Sequence, residues 1–332
     1  MTGEEGVMPT DGEILTAAAR DALRAPSPLN TQPWIWYVRD GVLELYADRD
    51  RQLRVADPDG RLMLFSCGAA LHHARVSLAA AGHRVAVRHL VDSFEDNLLA
   101  RVELGQPRPV DAHDRALRDA IQVRRTDRRP FGDHPVPDDV LAALVGAAES
   151  EGMRLHIVRL GQMPMLAIAV AQAATAEMSE PDYRSELMQW TNRPVWSGDG
   201  VPPEVTVRRV PRRVPVRELA LEPNAGQPVE PGGDRGAAYV VLYGDGESPS
   251  DWFAAGEAAS NVLLTATTFG LATEPMSDAI EVAHPRELIT GLLPAGGHPY
   301  LVIRCGWSEH ADALAPVARR DPHEAIITAT ET

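Results

Sequence analysis

Lysine is absent: all 32 cationic residues of this 332-residue chain are arginines. That excludes Schiff-base chemistry on a lysine amine and a P-loop that reaches phosphate with lysine. An anionic ligand must instead be held by guanidinium forks and backbone amides. Cysteine is almost absent too. Cys67 and Cys305 stand alone, so neither a disulfide framework nor a cysteine zinc site is available, and both read as small buried fillers. The longest uncharged apolar stretch, Met163 to Ala176, is too short to span a bilayer. The opening MTGEEGVMPT carries acids and no apolar core, which reads as a tail rather than a signal peptide; the expected location is the cytoplasm. A net charge of −15 argues against broad attraction to nucleic acid or anionic membrane.

What is present is a regular alternation of helix and strand signals. A helix is expected over roughly Asp11 to Leu23, then the loop APSPLNTQP, whose prolines forbid helix. A hairpin follows (Trp34 to Val38 and Val42 to Tyr46 around Asp40-Gly41), then a long alanine-rich helix, Arg61 to Ala81, and a strand, Val85 to Leu90. A second unit starts near Arg115: a helix over Leu117 to Val123, the run RRTDRRPF, a helix over Asp138 to Glu149 and a strand over Leu155 to Val158. Beyond it come a strand (Ala238 to Tyr243), a long helix (Asp251 to Phe269) and a last strand (Tyr300 to Gly306).

The two units read as copies. Gly68 within the first long helix and Gly82 after it are 14 positions apart, as are Gly256 and Gly270 in the second, with small residues early in each. Each helix ends at a glycine suited to a left-handed cap. Between the second unit's helices lies an insertion, Met178 to Gly236, dense in proline yet holding Tyr183, Trp190 and Trp196. Aromatics imply that it packs on something, as a lid or clasping arm would, whereas a disordered linker would lack them.

Several features have ordinary readings. Short arginine runs such as RRTDRR are usually solvated turns, and NTQPW could be a strand entry with a core tryptophan. Arg208-Arg209 and Arg212-Arg213 read as a solvated face. His72 and His73 point about 100° apart on a helix, so they make poor joint metal ligands. Glu257 and Glu274 could be general acids, but nothing in the sequence separates them from helix-end or surface carboxylates.

Taken together, PSPLNTQPW at Pro26–Trp34, RRTDR at Arg124–Arg128 and GLATEPMS at Gly270–Ser277 resemble the nitroreductase superfamily of FMN proteins. The chain-long arrangement, over about residues 11–325, is similar to the Acg-type members of that superfamily. The resemblance implies an α+β, nitroreductase-like fold, duplicated within one chain as a pseudo-dimer with a lid-like insertion. Its halves would be residues 11–112 and 113–330, with the insertion at about 178–236. It also implies FMN as cofactor. Arg124, Thr126 and Arg128, with Arg125 adjacent, would grip the phosphate and ribityl chain, and Arg319 and Arg320 would complete the clamp. Pro26, Ser27, Pro28 and Asn30 would pack on the isoalloxazine and bond its polar edge, while Pro275, Met276 and Ser277 would lie near N5. The Glu-Gly pair of many active members is missing at that place.

Complementary loss is expected from the repeat. The first unit keeps PSPLN without an arginine cluster, and the second keeps RRTDR but reads ESEGMRLH where a PSPLN loop would fall. One FMN per chain, bound between the halves of a monomer, is the expectation. Two functions compete: an oxidoreductase passing electrons from NAD(P)H through FMN to a small organic acceptor, and a flavin-sequestering protein whose lid blocks the nicotinamide.

Overall fold

A computed structural model describes residues 9–91, 97–208, 210–217, 219, 226–228, 234–294, 296–310, 312 and 314–328. Most of the opening tail and Arg209 of the insertion therefore lie outside the described residues. Helix α1 (Asp11–Ala22) starts in a capping box between Thr10 and Glu13 and buries Leu15, Ala18, Ala19 and Ala22, as the periodicity predicts. The hairpin β1 (Trp34–Arg39) and β2 (Val42–Ala47) pairs in the expected register across Asp40-Gly41. Helix α2 (Arg61–Ala80) follows and is almost wholly buried. Strands β3 (His83–His89) and β4 (Leu98–Pro107) complete a first antiparallel run beside β2.

After β4 comes α3 (Ala112–Val123), capped by Asp111 and so starting earlier than near Arg115. Then come α4 (Asp138–Glu149), β5 (Arg154–Ile157), α5 (Met163–Ser179) and α6 (Pro181–Thr191). Strand β6 (Ala238–Gly244) leads to α7 (Pro249–Thr268), β7 (Ala272–Met276), the short α8 (Asp278–Glu281), α9 (Ala283–Thr290) and β8 (His298–Gly306). The chain ends in α10 (Pro322–Ala325) and β9 (Ile326–Thr328). The fold is α+β. Among the described residues there are two sheets, in the orders β3-β4-β2-β1-β9 and β5-β6-β8-β7. Strand β9 runs parallel to β1, so the C-terminal chain returns to the sheet of the first half.

Helices α2 and α7 pack face to face between these sheets. Their contact depends on two glycines. A Cβ on Gly68 would sit 1.9 Å from the Phe253 carbonyl oxygen, and one on Gly256 would sit 1.9 Å from that of Phe65. Backbones meet directly there, which no larger residue permits. Both helices end as expected at left-handed glycines, Gly82 (φ +85°) and Gly270 (φ +79°).

The described part of the insertion is more regular than its proline content suggests. Pro181 occupies the first turn of α6, the position where its missing N–H costs nothing. Tyr183, Leu187, Trp190, Val201, Val205 and Leu219 form a satellite core with Leu29 and Leu53 of the first half. Trp196, by contrast, is 87% exposed. Asp199 accepts from Arg51 and Arg193, whose guanidiniums flank the Trp190 ring at 5.6 and 4.8 Å. Arg208 and Arg213 are exposed as expected. Arg212 is not: its side chain is buried 3.8 Å from Asp234, because the chain folds inward toward a carboxylate there.

Candidate functional site

The Pro26–Asn30 loop sits where α1 hands over to β1, and its backbone is strained. Leu29, Asn30 and Gln32 have φ of 49°, 56° and 50°, a region non-glycine residues seldom occupy. Side chains hold the strain in place. Ser27 Oγ accepts from the Gln32 N–H at 2.9 Å, and Gln32 Nε2 donates to the Gly198 carbonyl at 2.8 Å. Asn30 Nδ2 donates to the carbonyls of Gly200 and Ala318, both at 3.1 Å. Both amide hydrogens are thus spent on the insertion and the C-terminal segment, leaving Asn30 its oxygen for any ligand.

Opposite this loop, the chain leaving α3 is tied to β7. Thr126 bridges Thr273, and the Asp127 N–H donates to the Thr273 carbonyl at 2.9 Å. Arg304, wholly buried on β8, locks the junction: it pairs with Asp234 at 2.7 Å and Glu274 at 2.8 Å and donates to the carbonyls of Asp127 and Arg129. Glu274 is thereby committed to a structural ion pair. Glu257 pairs with Arg75 and His89 away from this junction.

The result is one crevice with two dissimilar ends. Pro26, Ser27, Asn30, Arg124, Arg125, Thr126, Arg128 and Arg319 line a polar end, with Arg24. An apolar end adds Pro28, Leu62, Phe65, Leu263, Pro275, Met276 and Ser277. Pro26, Ser27, Leu29, Thr126 and Arg128 belong to both. The ends hold about 720 and 780 Å³ of space between atoms, solvent at their mouths included. Of the residues anticipated from sequence, Arg320 does not line it. Its guanidinium turns to the Gln32 and Trp34 carbonyls and to Asp48 at 3.1 Å, because β9 draws the C-terminal chain under the loop.

The polar end carries uncompensated positive charge. Arg124 is 5% exposed, yet its Nε and Nη1 have no hydrogen-bond partner, and neither does Nε of Arg125 or Arg319. Burial, then Arg125, pushes Arg124 down to about 10. Burial, then Arg124, Arg125 and Arg24, pushes Arg319 down to about 9. Buried guanidiniums crowded by like charge, with donor atoms left unpartnered, suit an anion. His73, buried behind it and bonded through Nδ1 to Ser260 at 2.8 Å, is pushed down to about 3 by burial and by Arg124. It stays neutral; among the described residues no group of three or more His, Cys, Asp or Glu is placed to hold a metal. Cys67 and Cys305 are buried free thiols.

Three charged residues of the crevice escaped sequence reasoning. Arg24 lies two positions before Pro26, near enough to have been noticed. Arg217 belongs to the insertion, and Asp278 follows Ser277 directly; both line the apolar end. Neither carries a local signal, since their neighbours come from distant chain.

The orphaned guanidinium atoms suit a phosphate of nearly two negative charges, and the apolar end suits a flat ring. FMN has both parts. Residues 121–307 match the model of the Nitroreductase family. The Mycobacterium tuberculosis protein named "Putative NAD(P)H nitroreductase Rv3131" is 37% identical over 320 residues, 95% of this chain and 92% of that one. "Putative NAD(P)H nitroreductase acg" of the same organism is 31% identical over 95% of each chain. The crystal structure of the FMN- and NADPH-dependent nitroreductase NfnB from Sphigopyxis sp. strain HMH aligns over 63% of this chain and 97% of its own, at 15% identity and a TM-score of 0.43. No described helix is long and apolar enough to cross a membrane. By the family match and by its mycobacterial relatives, the chain belongs to the nitroreductase family.

Proposed function

We propose that this chain binds one FMN in the crevice between its halves and passes electrons from NAD(P)H to a small organic acceptor. The observation that carries the reading is the set of orphaned guanidinium atoms on Arg124, Arg125 and Arg319 beside an apolar end. Arg124, Arg125 and Arg319 would hold the phosphate, Thr126 and Arg128 the chain between phosphate and ring, and Phe65, Leu263, Pro275 and Met276 the ring. When bound, FMN supplies a ring that accepts and donates hydride. The protein's share is to orient that ring, exclude water with Leu62, Phe65 and Leu219, and balance charge with Arg128 and Arg217. Buried reduced thiols suit a cytoplasmic setting.

One flavin per chain follows from reading the halves as copies. Gly68 and Gly256, Phe65 and Phe253, and Gly82 and Gly270 are each 188 positions apart, and the first two pairs meet reciprocally. The same shift sets Arg75 against Leu263 and His89 against Ser277. At that mate position Arg75 bridges Glu151 and Glu257, both at 2.7 Å, and His89 bonds Glu257 at 2.9 Å. A salt-bridge cluster would thus fill the space of a second ring. A purified holo-chain should contain about one FMN, measured by absorbance against protein mass; a ratio near two contradicts the reading. A fused pair also satisfies its own interface, so the expected species is a monomer.

The insertion's packing favours a second reading, flavin storage. Asn30, Gln32 and Arg51 all bond the 198–200 segment, and Leu219 closes the apolar end. Anaerobic mixing with NADH or NADPH separates the two: prompt bleaching of the flavin band supports the reductase, and none over many minutes supports storage. Excising Tyr183 to Gly233 should restore reduction if the insertion is the block, although it also strips the satellite core from Leu29. Asp199→Ala tests the same point more gently. It unlatches Arg51 and Arg193 and should speed both reduction and FMN release; unchanged rates of both would clear the insertion of a gating role.

A further inference from the structure

Asp278 is wholly buried, lines the apolar end of the crevice and, apart from the adjacent Ala279 N–H, has no hydrogen-bond partner on either carboxylate oxygen. Unpaired buried carboxylates are costly and seldom kept without a use. Its surroundings do not relieve the charge. Arg217, from the insertion, is the cation facing it, and that guanidinium is already shared by Glu177 of α5 at 3.1 Å, Glu281 of α8 at 2.7 Å and the Tyr183 hydroxyl of α6. Glu274 of β7 adds a further negative charge, itself paired with Arg304. Three carboxyl groups thus crowd one guanidinium, so the cluster favours holding protons.

We propose that Asp278 takes up a proton when the crevice is filled and serves there as a neutral hydrogen-bond donor to the bound flavin ring. This rests on FMN being the ligand. A ring seated in the apolar end adds apolar bulk beside a buried carboxylate that has no side-chain partner, which disfavours the charge further, and a ring edge rich in lone pairs offers an acceptor. Burial, opposed by Arg217 and reinforced by Glu281 and Glu274, already holds this acid above the ordinary carboxylate range. Glu177 is raised as well, by burial and by Glu281 and Asp278, with Arg217 opposing. Of the two acids, Asp278 is the one that lacks a side-chain partner and lines the space a ring would fill. Because the acid is raised, the neutral form prevails at low pH and is lost as pH rises. FMN affinity should therefore fall with rising pH once free Asp278 ionises.

The test is proton uptake on FMN binding, by titration calorimetry of the full chain at about pH 8 in buffers of different ionisation enthalpy. Wild type should take up more protons than Asp278→Asn, the difference approaching about one proton. The phosphate's own ionisation is common to both and cancels. Asp278→Asn, whose amide still donates, should bind FMN with a flatter pH dependence, and Asp278→Leu should bind about tenfold more weakly at low pH, the loss of one hydrogen bond. Equal uptake by wild type and Asp278→Asn would overturn the proposal while leaving the FMN reading intact. Should Asp278→Asn fail to fold, wild-type affinity for riboflavin, which has no ionising phosphate, that does not weaken between about pH 6 and pH 8 would overturn it instead. A chain that binds no FMN at either pH overturns both.

Discussion

Arg124→Ala should release FMN. The substitution removes a buried phosphate partner, and one charge-assisted hydrogen bond of this kind is worth about 1.5–3 kcal/mol, or roughly ten- to a hundredfold in affinity. A structural arginine would behave differently. Arg124 is buried beside like charges with two donor atoms unpartnered, so the ligand-free protein gains by its removal. The flavin-free variant should melt no lower than wild type, while its flavin is lost on dialysis. Riboflavin, which lacks the phosphate, should bind both proteins alike. Unchanged flavin content after dialysis would count against this assignment.

Arg304→Met should have the largest effect on folding itself. It replaces a fully buried guanidinium of similar volume but leaves Asp234 and Glu274 buried without their cation. Removing one partner of such a network costs about 3–5 kcal/mol, a large part of the stability of an ordinary domain. The loss reaches the site, because Arg304 also holds the carbonyls of Asp127 and Arg129 and so fixes the run from Arg124 to Arg128 against β7. Chemical unfolding should show a much lower midpoint. An unfolding free energy within about 0.5 kcal/mol of wild type would mean that the triad carries no structural weight.

How much of this was legible in the chain depends on whether a residue's meaning is local. Helix α1, the β1–β2 hairpin, and the long helices with their glycine ends announce themselves through periodicity, caps and turn chemistry, and the structure has them within a few residues. The polar end of the crevice was legible because its arginines are clustered in sequence. Strand β4, helices α5 and α6, and strand β9 were not foreseen. Pro181 disguised a helix start as a break, and β9 has only three residues, made a strand by β1 alone. Arg319 and Arg320 look equivalent in sequence; the return of the C-terminal chain to the first sheet separates them. Arg212 reads as one of four solvated arginines until Asp234 is folded against it. Arg217, Arg304 and Asp278 are ordinary residues locally. Their roles exist only once the insertion, β8 and β7 meet.

The account stands on a single crevice whose guanidinium end and apolar end recognise two parts of one molecule. Titrating the flavin-free chain with FMN and with riboflavin measures both together. The expected result is saturation at about one FMN per chain, with riboflavin weaker by about a hundredfold or more, as two or more charge-assisted phosphate bonds require. Riboflavin binding as tightly as FMN would contradict it.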